Sequence, residues 1–247
     1  MSRQTPQLKG YFITGTDTGV GKTMVAVALV CLLNRRGVRA APVKPVQTGV
    51  PPGGRGDLEV CLEAAGLSPG PEELALLNPY RFLLAASPHL AAEREGVAID
   101  PAWIVECCRK LAQSWQALVV EGAGGLLAPL TREYSTLDLA VELGLPLVVV
   151  TRPGLGTLNH TLLTLCAARA TRLKIACVVF NRTEAEAGLS EDGRLIERDN
   201  VEMIRNLGGV EVAGPLPFII NSGGDRIAVV EISRHFEKEY GTFLPEF

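Results

Sequence analysis

The sequence predicts an α/β fold in which a mostly parallel sheet carries helices on both faces, within one domain of 247 residues. Three observations predict it. Short valine-rich runs alternate with stretches of helical period, the pattern of a parallel sheet wrapped by its crossover helices. The runs are apolar throughout rather than at every second residue, which suits strands covered on both faces. The Pro/Gly-rich stretches 45–57 and 181–194 lie at the ends of such runs, where ligands bind in an open α/β sheet.

The first run, "YFIT" (11–14), reads as a buried strand. "KTMVAVALVCLLNRRG" (22–37) follows with helical period and closes on basic residues and a glycine, the usual C-terminal punctuation. "VRAAPVK" (38–44) is the second strand, and Asp57 begins a further helical pattern. "ALVVEG" (117–122), "LPLVVV" (145–150), "KIACVVFN" (174–181) and "VEVAGPLP" (210–217) supply four more strands. Helices are expected at about 100–114, 136–143, 157–171, 197–207 and 226–240. No repeat, low-complexity tail or linker divides the chain.

Composition narrows the class. Apolar residues make up 47% and charged residues 21%, ordinary for a globular protein. The net charge of -3 provides no bulk basic field for nucleic acid or anionic lipid. The longest apolar stretches fall far short of a membrane span, and the N-terminus has no leader pattern. Six cysteines (31, 61, 107, 108, 166 and 177) include no CxxC pair, and most sit in apolar segments as small hydrophobes. That argues against a disulfide framework or a zinc site. A cytoplasmic protein with no nucleic-acid or membrane partner is the expectation.

Chemistry enters with "GTDTGVGKT" (15–23), between the first strand and the first helix. Such a loop aims backbone N–H groups and the helix dipole at an anion. Gly19 and Gly21 let the backbone approach phosphate oxygens, Lys22 reaches the β- and γ-phosphates, and the Thr23 hydroxyl suits magnesium. The fold is therefore that of a P-loop NTPase. Strict spacing puts a glycine six positions before the lysine, where this chain has Thr16. The septum-site and plasmid-partition ATPases carry a signature lysine five residues before the main one, and here that position is Asp17.

Beyond the loop, "FITGTDTGVGKT", "VKPVQTG", "GD", "NPYRF…SPHLAA", "VEGAGGLLAPL" and "LGTLNHT" follow one another over about residues 11–160, with "VFNR" and "PLP" extending to about 217. In order and spacing the chain resembles the dethiobiotin synthetases. Many members carry glutamate where this chain has Gly19, so any direct role of that carboxylate is absent here. The resemblance implies closure of a ureido ring on 7,8-diaminononanoate with CO₂ and ATP. An amine captures CO₂ as a carbamate, ATP phosphorylates it, and the second amine displaces phosphate.

A carbamate meeting a triphosphate needs cations between two anions. Lys22 supplies one and Lys44, at the end of the second strand, the other; the competing reading of Lys44 is a solvated strand-end lysine. The resemblance gives Lys22 and Lys44 catalytic roles. It gives magnesium to Asp57 and Glu121 together with Thr23. Residue chemistry alone also allows Asp57 as a helix N-cap and Glu121 as a strand-end salt bridge. By the same resemblance Thr18, Gly19, Val20, Gly21, Lys22, Thr23 and Met24 wrap the nucleotide, with Gly122, Ala123 and Gly124 beside them. Asn181, Arg182 and Pro217 meet its base; adenine is implied, although "NRTE" with Glu184 echoes the guanine-reading pattern of GTPases. His89 is left outside the catalytic set, and Ser87 and Pro88 shape the diamine pocket.

The diamine ends in a carboxylate remote from its amines. The resemblance assigns its binding to Gly156, Thr157 and Asn159, supplied by the other subunit of a homodimer, with Thr18 and Thr48 also touching substrate. The competing reading is plain N-capping by Thr157. Two rival functions remain. A switch ATPase of the septum-site or partition type is weakened by Asp17 and by the short, mixed-charge "ISRHFEKEYG". An amide ligase acting on a corrin precursor carries an added glutamine-hydrolysing domain, for which 247 residues leave no room.

Overall fold

Strand side chains alternate between faces, and in this chain both faces are apolar, so the runs need helices above and below. The computed structural model describes residues 8–183, 185, 189–218, 234 and 236–238. Its elements in chain order are β1 (Gly10–Gly15), α1 (Lys22–Arg35), β2 (Ala40–Val43), β3 (Val46–Gln47), α2 (Asp57–Ala65), α3 (Pro71–Leu77), β4 (Tyr80–Arg81) and α4 (Pro88–Arg94). Then come α5 (Pro101–Leu111), β5 (Ala117–Gly125), α6 (Thr136–Leu143), β6 (Leu147–Thr151), α7 (Thr157–Ala170), β7 (Ile175–Asn181), α8 (Glu191–Gly208) and β8 (Val212–Leu216).

Six strands form one parallel sheet in the order β2-β5-β1-β6-β7-β8, and β3 pairs with β4 in a two-stranded parallel ribbon. Period-2 alternation divides the apolar runs between two cores. Phe12, Leu118, Val120, Leu147 and Val149 join one, with Ile104 and Leu111 of α5, Leu139 of α6 and Leu165 of α7. Tyr11, Ile13, Val119, Val148 and Val150 join the other, under α1. Every residue from Val25 to Val30 is buried, so α1 is a fully covered helix rather than an amphipathic one. Burying a side chain such as Leu29 contributes about 1.5–3 kcal/mol. Connections leave β1 toward β2 on one side and reach β6 on the other, so the crevice at the carboxyl end of β1 is the topological switch point.

The expected strands and helices that fall among the described residues are present, and three differences stand out. The helix expected at 197–207 starts earlier, at Glu191, because Ser190 caps it by accepting the Gly193 N–H. The strand expected at 117–122 runs on to Gly125. The helices α3 and α4, each started by a proline, fill a region with no expected elements; at seven residues each they are too short to show a period. The helix expected at 226–240 lies almost wholly outside the described residues, of which 234 and 236–238 are helical. Among the described residues no helix is long and apolar enough to cross a membrane.

The cysteines behave as hydrophobes. Cys61, Cys107, Cys108 and Cys177 are buried, Cys31 is half-buried and Cys166 is exposed. Burial pushes the thiol of Cys107 up to about 11 and those of Cys108 and Cys177 up to about 12. In native protein at neutral pH, Cys166 is therefore expected to be the fast-reacting thiol toward a disulfide reagent. Rapid labelling of any of the four buried thiols before denaturant is added would contradict this packing.

Candidate active site

The loop after β1 explains its own irregular spacing. A Cβ on Gly15 would lie 2.7 Å from the Asp17 carbonyl oxygen and 3.1 Å from Lys22 Nζ, so the glycine is needed where the loop folds back over the strand end. Thr16 instead uses a side chain, its hydroxyl 3.0 Å from that of Thr151. Gly21 takes a φ of 90° as the N-cap of α1, and a Cβ there would stand 2.1 Å from Asn181 Nδ2. The helical ladder begins with Met24 and Val25 N–H donating to Gly21 O, leaving the N–H groups of Lys22 and Thr23 ahead of it.

Charges converge beside this loop. Lys44 Nζ lies 2.6 Å from Glu121 Oε1 and 2.7 Å from Asp57 Oδ2. Thr23 Oγ1 donates to the same Glu121 oxygen at 3.1 Å, and Lys22 Nζ donates to Asp17 O at 3.0 Å. The Lys44 and Glu121 side chains are only 7% and 6% exposed, so neither is a solvated surface charge. Burial by itself would lower the Lys44 pKa, but Glu121 and Asp57 hold its ammonium above the ordinary value. Burial pushes the Glu121 carboxyl up, with Lys44 opposing. At Asp57 burial is outweighed by Lys44, and the carboxyl sits below its ordinary range. Burial lowers the pKa of Lys22, and Glu121 partly offsets this.

These groups line a cleft of about 780 Å³, which also holds Thr18, Gly19, Gly21, Met24, Thr48, Ala123 and Gly124. Ser87 and Pro88 form part of its opposite wall. Val20 is buried in the core below the loop, and Gly122 backs onto Phe12 and Thr136. Asn181, Arg182 and Pro217 stand together at the ends of β7 and β8, where Arg182 N–H donates to Leu216 O at 3.2 Å. Asn181 is buried, and its amide donates to Val20 O at 3.1 Å, bracing the phosphate loop from outside. Arg182 pairs with Glu197 at 2.7 Å. Glu184 lies outside the described residues.

Two competing readings are corrected. Asp57 does not cap α2: Gly56 is the N-cap, and Glu59 accepts the Gly56 N–H at 2.6 Å, leaving Asp57 free for Lys44. Thr157 does not cap α7 either. Gly156 occupies the cap with a φ of 87°, and the Thr157 hydroxyl turns inward to Thr151 at 2.7 Å. Gly156 and Asn159 are exposed, and neither they nor Thr157 line the phosphate-loop cleft.

Sequence reasoning missed the side chains that hold this arrangement. Gln47 Oε1 accepts the Asp57 N–H at 3.0 Å, and Asn78 Nδ2 donates to Lys44 O at 2.6 Å. Arg81 clamps Glu59 at 2.6 Å and also donates to Gly54 O, tying the 51–57 loop to β4. The only signals were the polar residues of "VQTG" and "NPYRF", quoted without a role. Among the described residues no group of three or more His, Cys, Asp or Glu could hold a metal ion. What is present is a carboxylate pair with a neighbouring hydroxyl, hard oxygen donors of the kind magnesium takes alongside phosphate and water.

A protein-family model described as an AAA domain matches residues 9–226. The ATP-dependent dethiobiotin synthetase BioD of Anaeromyxobacter dehalogenans (strain 2CP-C) is 45% identical over 203 residues, covering 80% of this chain and 90% of that protein. The protein of the same name from Bacillus cereus (strain B4264) is 35% identical over 242 residues, covering 94% and 96%. Among solved structures, the MinC:MinD cell division protein complex of Aquifex aeolicus matches with a TM-score of 0.56 at 14% identity, covering 97% of this chain and 98% of that one. Cobyrinic acid a,c-diamide synthase of Mycobacterium smegmatis matches with a TM-score of 0.53 at 17% identity, covering 97% and 99%. These two show the fold alone. With a family model matched over residues 9–226 and relatives this similar over most of their length, the chain belongs to the ATP-dependent dethiobiotin synthetases, ligases that form carbon–nitrogen bonds.

Proposed function

We propose that this chain closes the ureido ring of dethiobiotin on 7,8-diaminononanoate, using CO₂ and ATP. The observation that carries this reading is the buried Lys44 ammonium between Glu121 and Asp57, opening onto the same cleft as the phosphate loop. In the septum-site and partition ATPases the second cation is the signature lysine, replaced here by Asp17, so that reading does not call for a lysine buried at position 44. A carbamate-phosphorylating enzyme does, because two anions must meet.

One substrate amine adds to CO₂ and passes a proton to water, giving a carbamate. A carbamate oxygen attacks the γ-phosphorus and ADP departs, leaving a mixed carbamic–phosphoric anhydride. The second amine then attacks the carbonyl carbon, inorganic phosphate leaves with the bond electrons, and the amine proton passes to phosphate or water. Lys22 holds the β- and γ-phosphates, and Lys44 holds the carbamate against the phosphoryl group. Thr18 and Thr48 orient the diamine. Asp57, Glu121 and Thr23 would hold Mg²⁺, which would neutralise charge on the phosphate oxygens. Asn181, Arg182 and Pro217 flank the base.

The working unit in this reading is a homodimer. Gly156, Thr157 and Asn159 lie outside their own chain's cleft, which suits a carboxylate dock furnished to the other subunit. Around them Leu155, Leu163 and Leu127 are 85%, 61% and 65% exposed, an apolar surface that favours a partner.

Phosphate release is expected to require the diamine and bicarbonate together with ATP. Asp57→Asn and Glu121→Gln are each expected to raise the magnesium concentration for half-maximal rate. Release that ignores the diamine but responds to DNA or lipid vesicles would overturn the reading. Unchanged magnesium dependence in both variants would return the two carboxylates to structural roles.

A further inference from the structure

Four threonine hydroxyls form a connected group between the phosphate loop and α7. Thr151, at the end of β6, is the hub. Its Oγ1 lies 3.0 Å from that of Thr16 and 2.7 Å from that of Thr157, and it accepts from Thr161 at 3.1 Å. Thr157 and Thr161 close a triangle at 3.3 Å. Thr151, Thr157 and Thr161 are 1%, 4% and 0% exposed, so water cannot replace a missing partner. A hydroxyl gives one proton and accepts two, and one arrangement satisfies the whole group. Thr161 donates to Thr151, Thr151 to Thr157 and Thr157 to Thr161, with Thr16 donating into the second lone pair of Thr151.

We infer that Thr151 is a positioning residue for the tail of the diamine. The inference rests on the reading that the start of α7 docks the substrate carboxylate. That dock depends on backbone direction. His160 N–H is the first to close the helical ladder, onto Gly156 O at 3.3 Å, so the N–H groups of Leu158 and Asn159 precede it at the positive end of the helix. Gly156 supplies no side-chain cap. Thr157 and Thr161, one turn apart on the inner face of α7, fix the first turn to β6 through Thr151. Thr16 extends the same tie to the phosphate loop, which accounts for a threonine where strict spacing has glycine.

Steady-state kinetics of Thr151→Val provide the test, with 7,8-diaminononanoate and with 2,3-diaminooctane, the same diamine without its carboxylate. Valine keeps the shape and removes the hub hydroxyl. The KM for the acid is expected to rise roughly tenfold, the upper part of the range for residues that couple a site without touching the ligand. The kcat and nucleotide affinity should stay close to wild type, and the preference for the acid over 2,3-diaminooctane should shrink. Thr151→Ser, which keeps the hydroxyl, should restore that preference. Thr161→Val should move the same quantities in the same direction, and carries the test if Thr151→Val does not fold. The inference is overturned if the valine variants keep the wild-type preference for the acid. It is equally overturned if KM rises while kcat and nucleotide affinity fall together with thermal stability, the mark of a merely structural role. A wild-type enzyme that shows no preference for the acid would instead remove the carboxylate-docking reading on which this one stands.

Discussion

Lys44→Ala is expected to abolish formation of the ureido product while leaving ATP affinity nearly intact. The side chain lies within 2.7 Å of two carboxylates and opens onto the phosphate-loop cleft, so it has no solvated role to fall back on. Removing a preorganised charge aimed at a transferring group costs roughly a hundredfold to a thousandfold in rate. A second cost is structural. Breaking a buried ion pair from one side costs about 3–5 kcal/mol, because the remaining charge is left without compensation. Glu121 is that remaining charge; Asp57, 36% exposed on its side chain, is screened and adds little. The variant should therefore melt lower, and nucleotide binding must be measured below its new transition. Lys22→Ala is the contrast. Lys22 belongs to the phosphate loop itself, so its loss should weaken ATP binding as well as turnover. A Lys44→Ala enzyme that still makes product would remove Lys44 from the chemistry.

The contrast between these two lysines also shows what the sequence made legible. Lys22 is fixed by a local motif, strand–loop–helix, and its position relative to Thr23 needs no long-range contact. Lys44, Asp57 and Glu121 lie on three separate stretches: Lys44 follows β2, Asp57 opens α2 and Glu121 lies within β5. Their places suit the ligand-binding end of the sheet, but it is the family resemblance, not the alternation of strands and helices, that joins them in one site. The supporting contacts were not legible in the same way. Gln47, Asn78 and Arg81 act by bonding a distant main chain or carboxylate, at separations of 10, 34 and 22 residues, and no periodicity marks such a partner. The short helices α3 and α4 escaped because seven residues hold barely two turns. Thr157 misled for a related reason. A threonine at a helix start reads as a cap, whereas its partners, Thr151 and Thr161, are set by the packing of α7 on β6.

Mixing inactive Lys44→Ala enzyme with an Asn159→Asp variant is expected to bring activity back. Asn159 is exposed on the first turn of α7 and outside its own cleft, so in the proposed homodimer a carboxylate placed there would face the substrate tail bound by the other subunit. Juxtaposing like charges at a binding site costs several kcal/mol, enough to leave the Asn159→Asp homodimer nearly silent at moderate diamine concentration. A two-fold dimer with shared sites has a distinctive arithmetic. In a mixed dimer one site receives both defects and the other receives neither. After full exchange of equal amounts, half the dimers are mixed and each has one intact site of two, so activity should reach about a quarter of wild type. The intact sites should also show wild-type KM for the diamine, because both their lysine and their tail dock are unaltered. If each site were built from a single chain, every site in the mixture would carry one defect, and the rate would stay at the average of the two parents. Confirmed subunit exchange without recovery would therefore confine Asn159 and Lys44 to separate tasks within one protomer and leave the dimer without a catalytic reason.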